Sequence, residues 1–515
     1  MRDNSTMRDN SISDKTYISS KFPHFDRSVF KMKTVKCFVL LCSVLFGIIT
    51  VNASKTSGRF KKKNTFECPM EYGVFANPTD CRRFYTCNGD VAYDTPCPTP
   101  LYFDDSKKLC VYKTKDLQCG PVPMTTPVPT TPDPNASPSC EPQSCRLPDC
   151  FCSEDGTLIP GNFLPKDTPQ MIILTFSGAL NVLNAEPFSF LLNETRLNPN
   201  GCPIKATFFV PHEYTSYFYV QKLYGLGHEI AAQTITNRQP EEFWPKATHE
   251  EWVEEVIGQK EILRTFANVS REDVLGMRAP FLKPGGNNML SMIYDYGLDY
   301  DSSLAAPLSE VPLWPYTLDY HLPHKCISEN CPTRSFPGIW EFPLNTYSTA
   351  DETGATCVFL DQCVFPDDPE VIFEFLSFNF LRHYTTNKAP FVMNFHVNWV
   401  TDDSKVAALD VFLDHVMETY PDVWFVTMQQ ALEWLRNPVQ AEQAKVFEAW
   451  KCPRTRMPSC NIPRTCRVKL MEGARADVRY LQLCGKCPER YPWLNNIRGT
   501  KEGKSVKDLV QKTTT

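Results

Sequence analysis

The residues of this chain best equipped to bind a metal, pass electrons or move protons are its 22 cysteines and 9 histidines. Two cysteines, Cys37 and Cys42, fall in an apolar run. The other 20 are an even number, as full pairing in an oxidising compartment requires. Cys484-Gly485-Lys486-Cys487 has CxxC form, but one such pair in an oxidised chain argues little for metal or redox work. His212, His228, His249, His321, His324, His383 and His415 are scattered without the spacing that brings two imidazoles to one metal. His396 differs because it stands at the end of the apolar run Phe391–Val397. A histidine there is either a satisfied polar residue of the core or a group that moves protons. Arg278 ends another such run, Val274–Arg278.

Those run ends matter because of the elements that carry them. Met171–Phe176, Ala206–Val210, His228–Thr234, Val274–Arg278, Phe391–Val397 and Val423–Thr427 have strand length. Helix-like stretches lie between several of them: Thr215–Leu226, His249–Phe266, Asn287–Tyr296, Pro369–Tyr384 and Ser404–Thr419. Apolar runs separated by helices predict a parallel sheet buried on both faces, and the number of units predicts an α/β fold of (β/α) barrel type. In such a fold chemistry gathers at the carboxyl ends of the strands.

The whole chain has globular composition, 42% hydrophobic and 22% charged. Lys and Arg number 53 against 59 Asp and Glu, a net charge of -6 that leaves no electrostatic footprint for nucleic acid. Residues 1–53 read as an N-terminal extension with a signal peptide: Cys37–Val51 is apolar, follows Lys31, Lys33 and Lys36, and precedes Val51-Asn52-Ala53. As a helix this run rises about 22 Å, short of a bilayer core of about 30 Å, so the mature form is expected to be secreted and free of the membrane. Residues 66–120 form a cysteine-rich block and 121–139 an extended Pro/Thr linker. Residues 140–450 form the large domain and 451–515 a cysteine-containing tail. Asn135, Asn193 and Asn268 lie in N-x-S/T sequons.

The block's six cysteines, Cys68, Cys81, Cys87, Cys97, Cys110 and Cys119, are separated by 12, 5, 9, 12 and 8 residues. So short a segment cannot build a sufficient core alone, and count leaves 15 pairings open. With Phe75, Tyr85, Tyr93, Tyr102 and Phe103 between them, and the stretches Cys81–Cys87 and Tyr102–Asp104, they resemble a peritrophin-A, or type 2 chitin-binding, domain. The resemblance implies Cys68–Cys87, Cys81–Cys119 and Cys97–Cys110. Pyranose rings offer flat C–H faces that stack on aromatic rings. On that ground Tyr85, Tyr93 and Tyr102 are the sugar-facing candidates, while Phe75 and Phe84 read as the mini-core.

The large domain is similar to arthropod chitin deacetylases, which carry a polysaccharide deacetylase (NodB-like) domain. The similarity runs through Thr168–Phe176, Asn198–Val210, Gly227–Ala231, Gly276–Phe281, Trp314–Tyr320 and His383–Pro390. It implies a distorted (β/α) barrel of that type and a metal, usually zinc, held by one Asp and two His. A second Asp acts as base and a further His protonates the leaving amine. Here the base position is Ser177, and the ligand positions are Gly178, Gln233 and Asn237. The resemblance places His396 as the leaving-group acid, with Asp301 or Asp319 orienting it. It also places Arg278 in the motif whose arginine pairs the catalytic Asp, and Trp314 on the sugar groove.

These readings lead to a secreted protein of a chitinous matrix that binds chitin or another N-acetylglucosamine polymer and carries a deacetylase-like domain without catalysis, whose sugar groove acts as a second binding surface. No cofactor is expected, zinc entering only if the site is rebuilt from other residues. The alternative is an active deacetylase with a non-standard site around His396. In a third reading the large domain is structural and only the small one binds.

Overall fold

The structure, a computed structural model, describes residues 66–117 except 67, 70–71, 89–90, 106–107 and 114–116, and residues 136–507 except 350–354, 365 and 473–474. The signal segment, Cys119, Asn135 and residues 121–135 of the linker lie outside the described residues. The chain divides into two compact units, Met1–Thr126 and Pro127–Thr515.

In the smaller unit Tyr72–Ala76, Arg83–Asn88 and Val91–Pro96 form an antiparallel sheet, and Tyr102–Asp104 pairs with Leu109–Val111. Among the described residues the buried centre is a cluster of Ala76, Cys97 and Phe103, with Val74, Phe84 and Leu101 packed on it and Phe75 and Cys87 also buried. A core this small needs covalent support. Cys68–Cys87 and Cys97–Cys110 supply it, and Cys81 is also disulfide-bonded.

The larger unit is built on the strand Gln170–Ser177, all eight residues of which are buried. Burial on both faces is what a near-continuous apolar run demands. Thr207–Val210, Glu229–Ala232, Gly276–Met277, Tyr300–Asp301 and Trp340–Glu341 follow it in parallel on one side, and Tyr316–Thr317 adds an antiparallel edge. Phe391–His396 lies parallel on the other side, and Val423–Phe425 pairs with the first half of the central strand. No ladder joins the two edge strands among the described residues, so the α/β barrel is opened into a curled sheet.

The sequence predicts one helix over His249–Phe266. The chain instead forms His249–Trp252, a π turn over Val253–Ile257 and Gly258–Ala267. Such bulges insert one extra residue per turn and recur beside functional sites. The tail packs on the same unit. The Arg456 amide donates to the Gly225 carbonyl, and a Cβ on Gly225 would lie 2.1 Å from the Arg456 oxygen, so glycine is required there. The hairpin Arg464–Glu472 and Arg475–Leu483 lies against the helix Tyr217–Gly225.

The ten cysteines Cys140, Cys145, Cys150, Cys152, Cys202, Cys452, Cys460, Cys466, Cys484 and Cys487 join the two ends of the larger unit once, at Cys202–Cys452. Cys140–Cys152 and Cys145–Cys150 close loops at the start, and Cys460–Cys484 and Cys466–Cys487 stay within the tail. Cys326–Cys331 and Cys357–Cys363 close short loops. The Cys202–Cys452 bridge spans 250 residues and constrains the unfolded chain most. Replacing both cysteines by alanine is expected to lower stability by about 2–5 kcal/mol in urea unfolding, whereas losing Cys326–Cys331 costs clearly less.

Candidate functional site

Ser177 ends the central strand in register with Phe209 on one neighbour and His396 on the other. The chain then turns at Gly178 with φ 132°, a conformation that favours glycine. A Cβ at Gly178 would meet Val397 Cγ2 at 2.8 Å, and Val397 is itself buried. The valine therefore fills the space into which a side chain at 178 would have to start.

Two strands away the chain leaves Glu229–Ala232 through Gln233 and reaches Asn237, which sits at φ 42°. This loop is tied down by the π turn: buried Glu255 accepts from the Thr236 amide at 2.9 Å and the Thr236 hydroxyl at 2.5 Å. Gln233 Oε1 and Asn237 Oδ1 are buried and accept no hydrogen bond. A glycine and two neutral amides do not fit zinc, which takes thiolate, imidazole or carboxylate ligands. Among the described residues no three His, Cys, Asp or Glu side chains are grouped to hold a metal.

Arg278 is fully buried at the centre of this end of the sheet. Its Nε donates to the Ser302 carbonyl at 2.9 Å, and Nη2 donates to Ser302 Oγ and Asn394 Oδ1, both at 2.9 Å. Nη1 donates to Thr175 Oγ1 at 3.0 Å and Ser177 Oγ at 3.2 Å, and the guanidinium lies over the Phe209 ring at 4.1 Å. A carboxylate partner was the expectation for this arginine. All five contacts are instead to neutral oxygens, and burial lowers its pKa to about 10. The nearest compensating charge is a buried carboxyl pair, Asp301 and Glu341, paired across adjacent strands. Burial raises Asp301 to about 6; burial and then the Asp301 charge hold Glu341 well above the usual carboxylate range.

His396 is half-exposed, and neither carboxylate expected to orient it does so. Asp301 is committed to Ser303 Oγ at 2.6 Å and to Glu341, and Asp319 accepts from the Gly338 amide. Asp361 takes the place: its Oδ2 accepts from the His396 amide at 2.7 Å and stands 3.4 Å from Nδ1. Phe359 stacks on the imidazole at 4.3 Å. Both residues sit in the loop closed by Cys357–Cys363, 33 or more residues before the histidine, and no spacing signal marked them. Ser177 Oγ, beneath this histidine on the adjacent strand, is held by Arg278.

Trp314 corrects the sequence reading. Its indole is fully buried, stacks on Trp434 at 5.7 Å and donates to the Asn387 carbonyl, so it packs the core and lines no groove. In the small unit the three tyrosines are not brought to one face. Tyr85 lies opposite Asp94 and Tyr93 opposite Thr86, one residue out of step, so their rings leave opposite faces of the sheet. Tyr85 stacks on Phe66 at 4.1 Å; Tyr93 is exposed; the Tyr102 hydroxyl accepts from Arg82 at 2.8 Å. Phe66 was missed because it precedes the first cysteine.

A Peritrophin-A chitin-binding domain model matches residues 68–119. Chitin deacetylase 1 of Bombyx mori is 41% identical over 377 residues, 71% of this chain and 70% of the relative. Chitin deacetylase 8 of Bombyx mori is 36% identical over 365 residues, 70% of this chain and 93% of the relative. A crystal structure of a putative polysaccharide deacetylase from Mycobacterium smegmatis aligns at 19% identity with a TM-score of 0.34, over 57% of this chain and 95% of that one.

Two outcomes follow from the buried charges. Arg278→Leu strips partners from five oxygens and is expected to destabilise by about 3–5 kcal/mol in urea unfolding. In the carboxyl pair both groups keep protons in the folded protein that the unfolded chain releases near pH 4, so the pair's contribution to stability falls as pH rises from about 4, through about 6 for Asp301 and beyond that for Glu341. Glu341→Gln should remove the slope above about pH 6 and leave Asp301's share below it when unfolding midpoints of parent and variant are compared.

Proposed function

We propose that this chain, which belongs to the chitin deacetylase family, binds chitin outside the cell and does not deacetylate it. The observation that carries the reading is the set of residues at the strand ends: Gly178, Gln233 and Asn237 where the family resemblance expects a metal's ligands, and Ser177 where it expects the base. The geometry supports the same reading. Val397 fills the space beside Gly178, and the Ser177 hydroxyl, without a neighbouring carboxylate to take its proton, receives a hydrogen bond from Arg278. Chitin binding rests on the small unit, whose peritrophin-A match covers all six cysteines. The disulfides support an extracellular location.

One observation favours a second reading. His396 and Asp361 form a dyad at a half-exposed strand end, an arrangement able to hand a proton to a leaving group. No second acid or base accompanies it among the residues named above, so it does not complete a hydrolytic mechanism.

The purified full-length protein is expected to bind chitin and to release no acetate from N-acetylglucosamine oligomers, with or without added zinc or cobalt. Acetate release abolished by His396→Ala would overturn this and establish the second reading. A variant carrying Gly178→Asp, Gln233→His and Asn237→His is expected to remain unable to hold zinc in calorimetric titration while Val397 is in place.

A further inference from the structure

The loop 211–216 leaves Thr207–Val210, the strand beside Ser177, at the carboxyl end of the sheet. In it Tyr214 is 73% exposed and adopts φ 63°. A bulky aromatic residue rarely takes this left-handed conformation, which costs free energy and persists only where the surroundings impose it. The surroundings here do so on both sides. His212 is buried, with Nδ1 2.6 Å from the Tyr217 hydroxyl and its ring 4.5 Å from that of Tyr491. Glu213 pairs with Arg479 of the tail hairpin at 3.3 Å. Thr215 Oγ1 donates to the Pro211 carbonyl, and the Ser216 amide donates at 2.7 Å to the carbonyl of Leu180, just beyond Gly178.

Five contacts thus brace a strained backbone whose central ring remains in water. Core packing does not explain Tyr214, and the turn would be easier with glycine or asparagine. Leu183 is 74% exposed at the start of the helix Val182–Leu191, in the segment that follows Gly178 at the same end of the sheet. The loop therefore presents an exposed aromatic ring on a braced backbone, within electrostatic reach of Arg479 and Tyr491, and such a ring suits the C–H face of a pyranose whose hydroxyls stay hydrated.

We propose that Tyr214 is the stacking platform on which the large domain receives a sugar ring of an N-acetylglucosamine chain. This rests on the reading that the large domain itself binds chitin. It assigns to Tyr214 the role that the sequence assigned to Trp314.

The test uses the full chain with the N-acetylglucosamine hexamer. Calorimetry reads affinity, and amide hydrogen exchange locates protection at residues 179–184 and 211–216. Tyr214→Ala is expected to lose that protection and weaken the large-domain step about five- to tenfold, while Tyr214→Phe keeps both. Tyr214→Gly should be at least as stable as the parent in urea yet bind as poorly as the alanine variant, because glycine relieves the backbone and removes the ring. Unchanged protection and affinity in Tyr214→Ala would overturn the assignment and leave the proposed function standing. No protection anywhere in 127–515 of the parent would overturn both the assignment and the reading that the large domain binds chitin, leaving the small unit, on which the proposed function rests, as the binder.

Discussion

A guanidinium buried without a carboxylate against it must have every N–H satisfied, because each unmet donor in a dry interior is expensive. Arg278 meets that demand with oxygens from three chain segments: Thr175 and Ser177 on the central strand, Asn394 on its neighbour, and Ser302. Thr175, Asn394 and Ser302 are each engaged again. Thr175 Oγ1 donates to the Met393 carbonyl, and the Asn394 amide donates to the Tyr347 hydroxyl, which in turn donates to the Val392 carbonyl. The Asp301–Glu341 carboxyl pair lies in the same buried region and works against the lowering of the Arg278 pKa by burial. The strand ends are thereby locked to one another at the place where the fold family does its chemistry.

That lock holds the strand ends together without any side chain from Gly178, Gln233 or Asn237. The aligned strand ends need Arg278 and its oxygens, and none of these is a metal ligand. Gly178, Gln233 and Asn237 sit in turns supported from elsewhere: Val397 against the glycine, and Glu255 of the π turn beneath the loop to Asn237. The disulfide loop Cys357–Cys363 adds Phe359 and Asp361 around His396, so this imidazole is oriented by neither Asp301 nor Asp319.

What the sequence made legible is what depends on local spacing. Apolar runs marked the strands, the gaps among six cysteines marked the small module, and motif matches placed Ser177, Arg278 and His396 at one end of one sheet. What it did not make legible depends on contacts between distant segments. Trp314 reads the same whether it stacks in a core or lines a groove, because hydropathy does not distinguish the two. Asp361 lies in an inserted loop whose approach to His396 is fixed by a disulfide rather than by a motif. The neutral partners of Arg278 defied the expectation of an ion pair because hydroxyls and amides are too common to stand out. The exposed Tyr214 went unnoticed because positive φ leaves no trace in residue type unless the residue is glycine or asparagine.

The most direct test of the central claim, that this end of the sheet holds no catalytic metal, is a crystal of the protein grown with excess zinc and measured at the zinc absorption edge. The account predicts no anomalous peak within bonding distance of Gly178, Gln233, Asn237 or His396. A full-occupancy peak there, with side chains drawn onto it, would contradict the account and restore a metal-dependent mechanism.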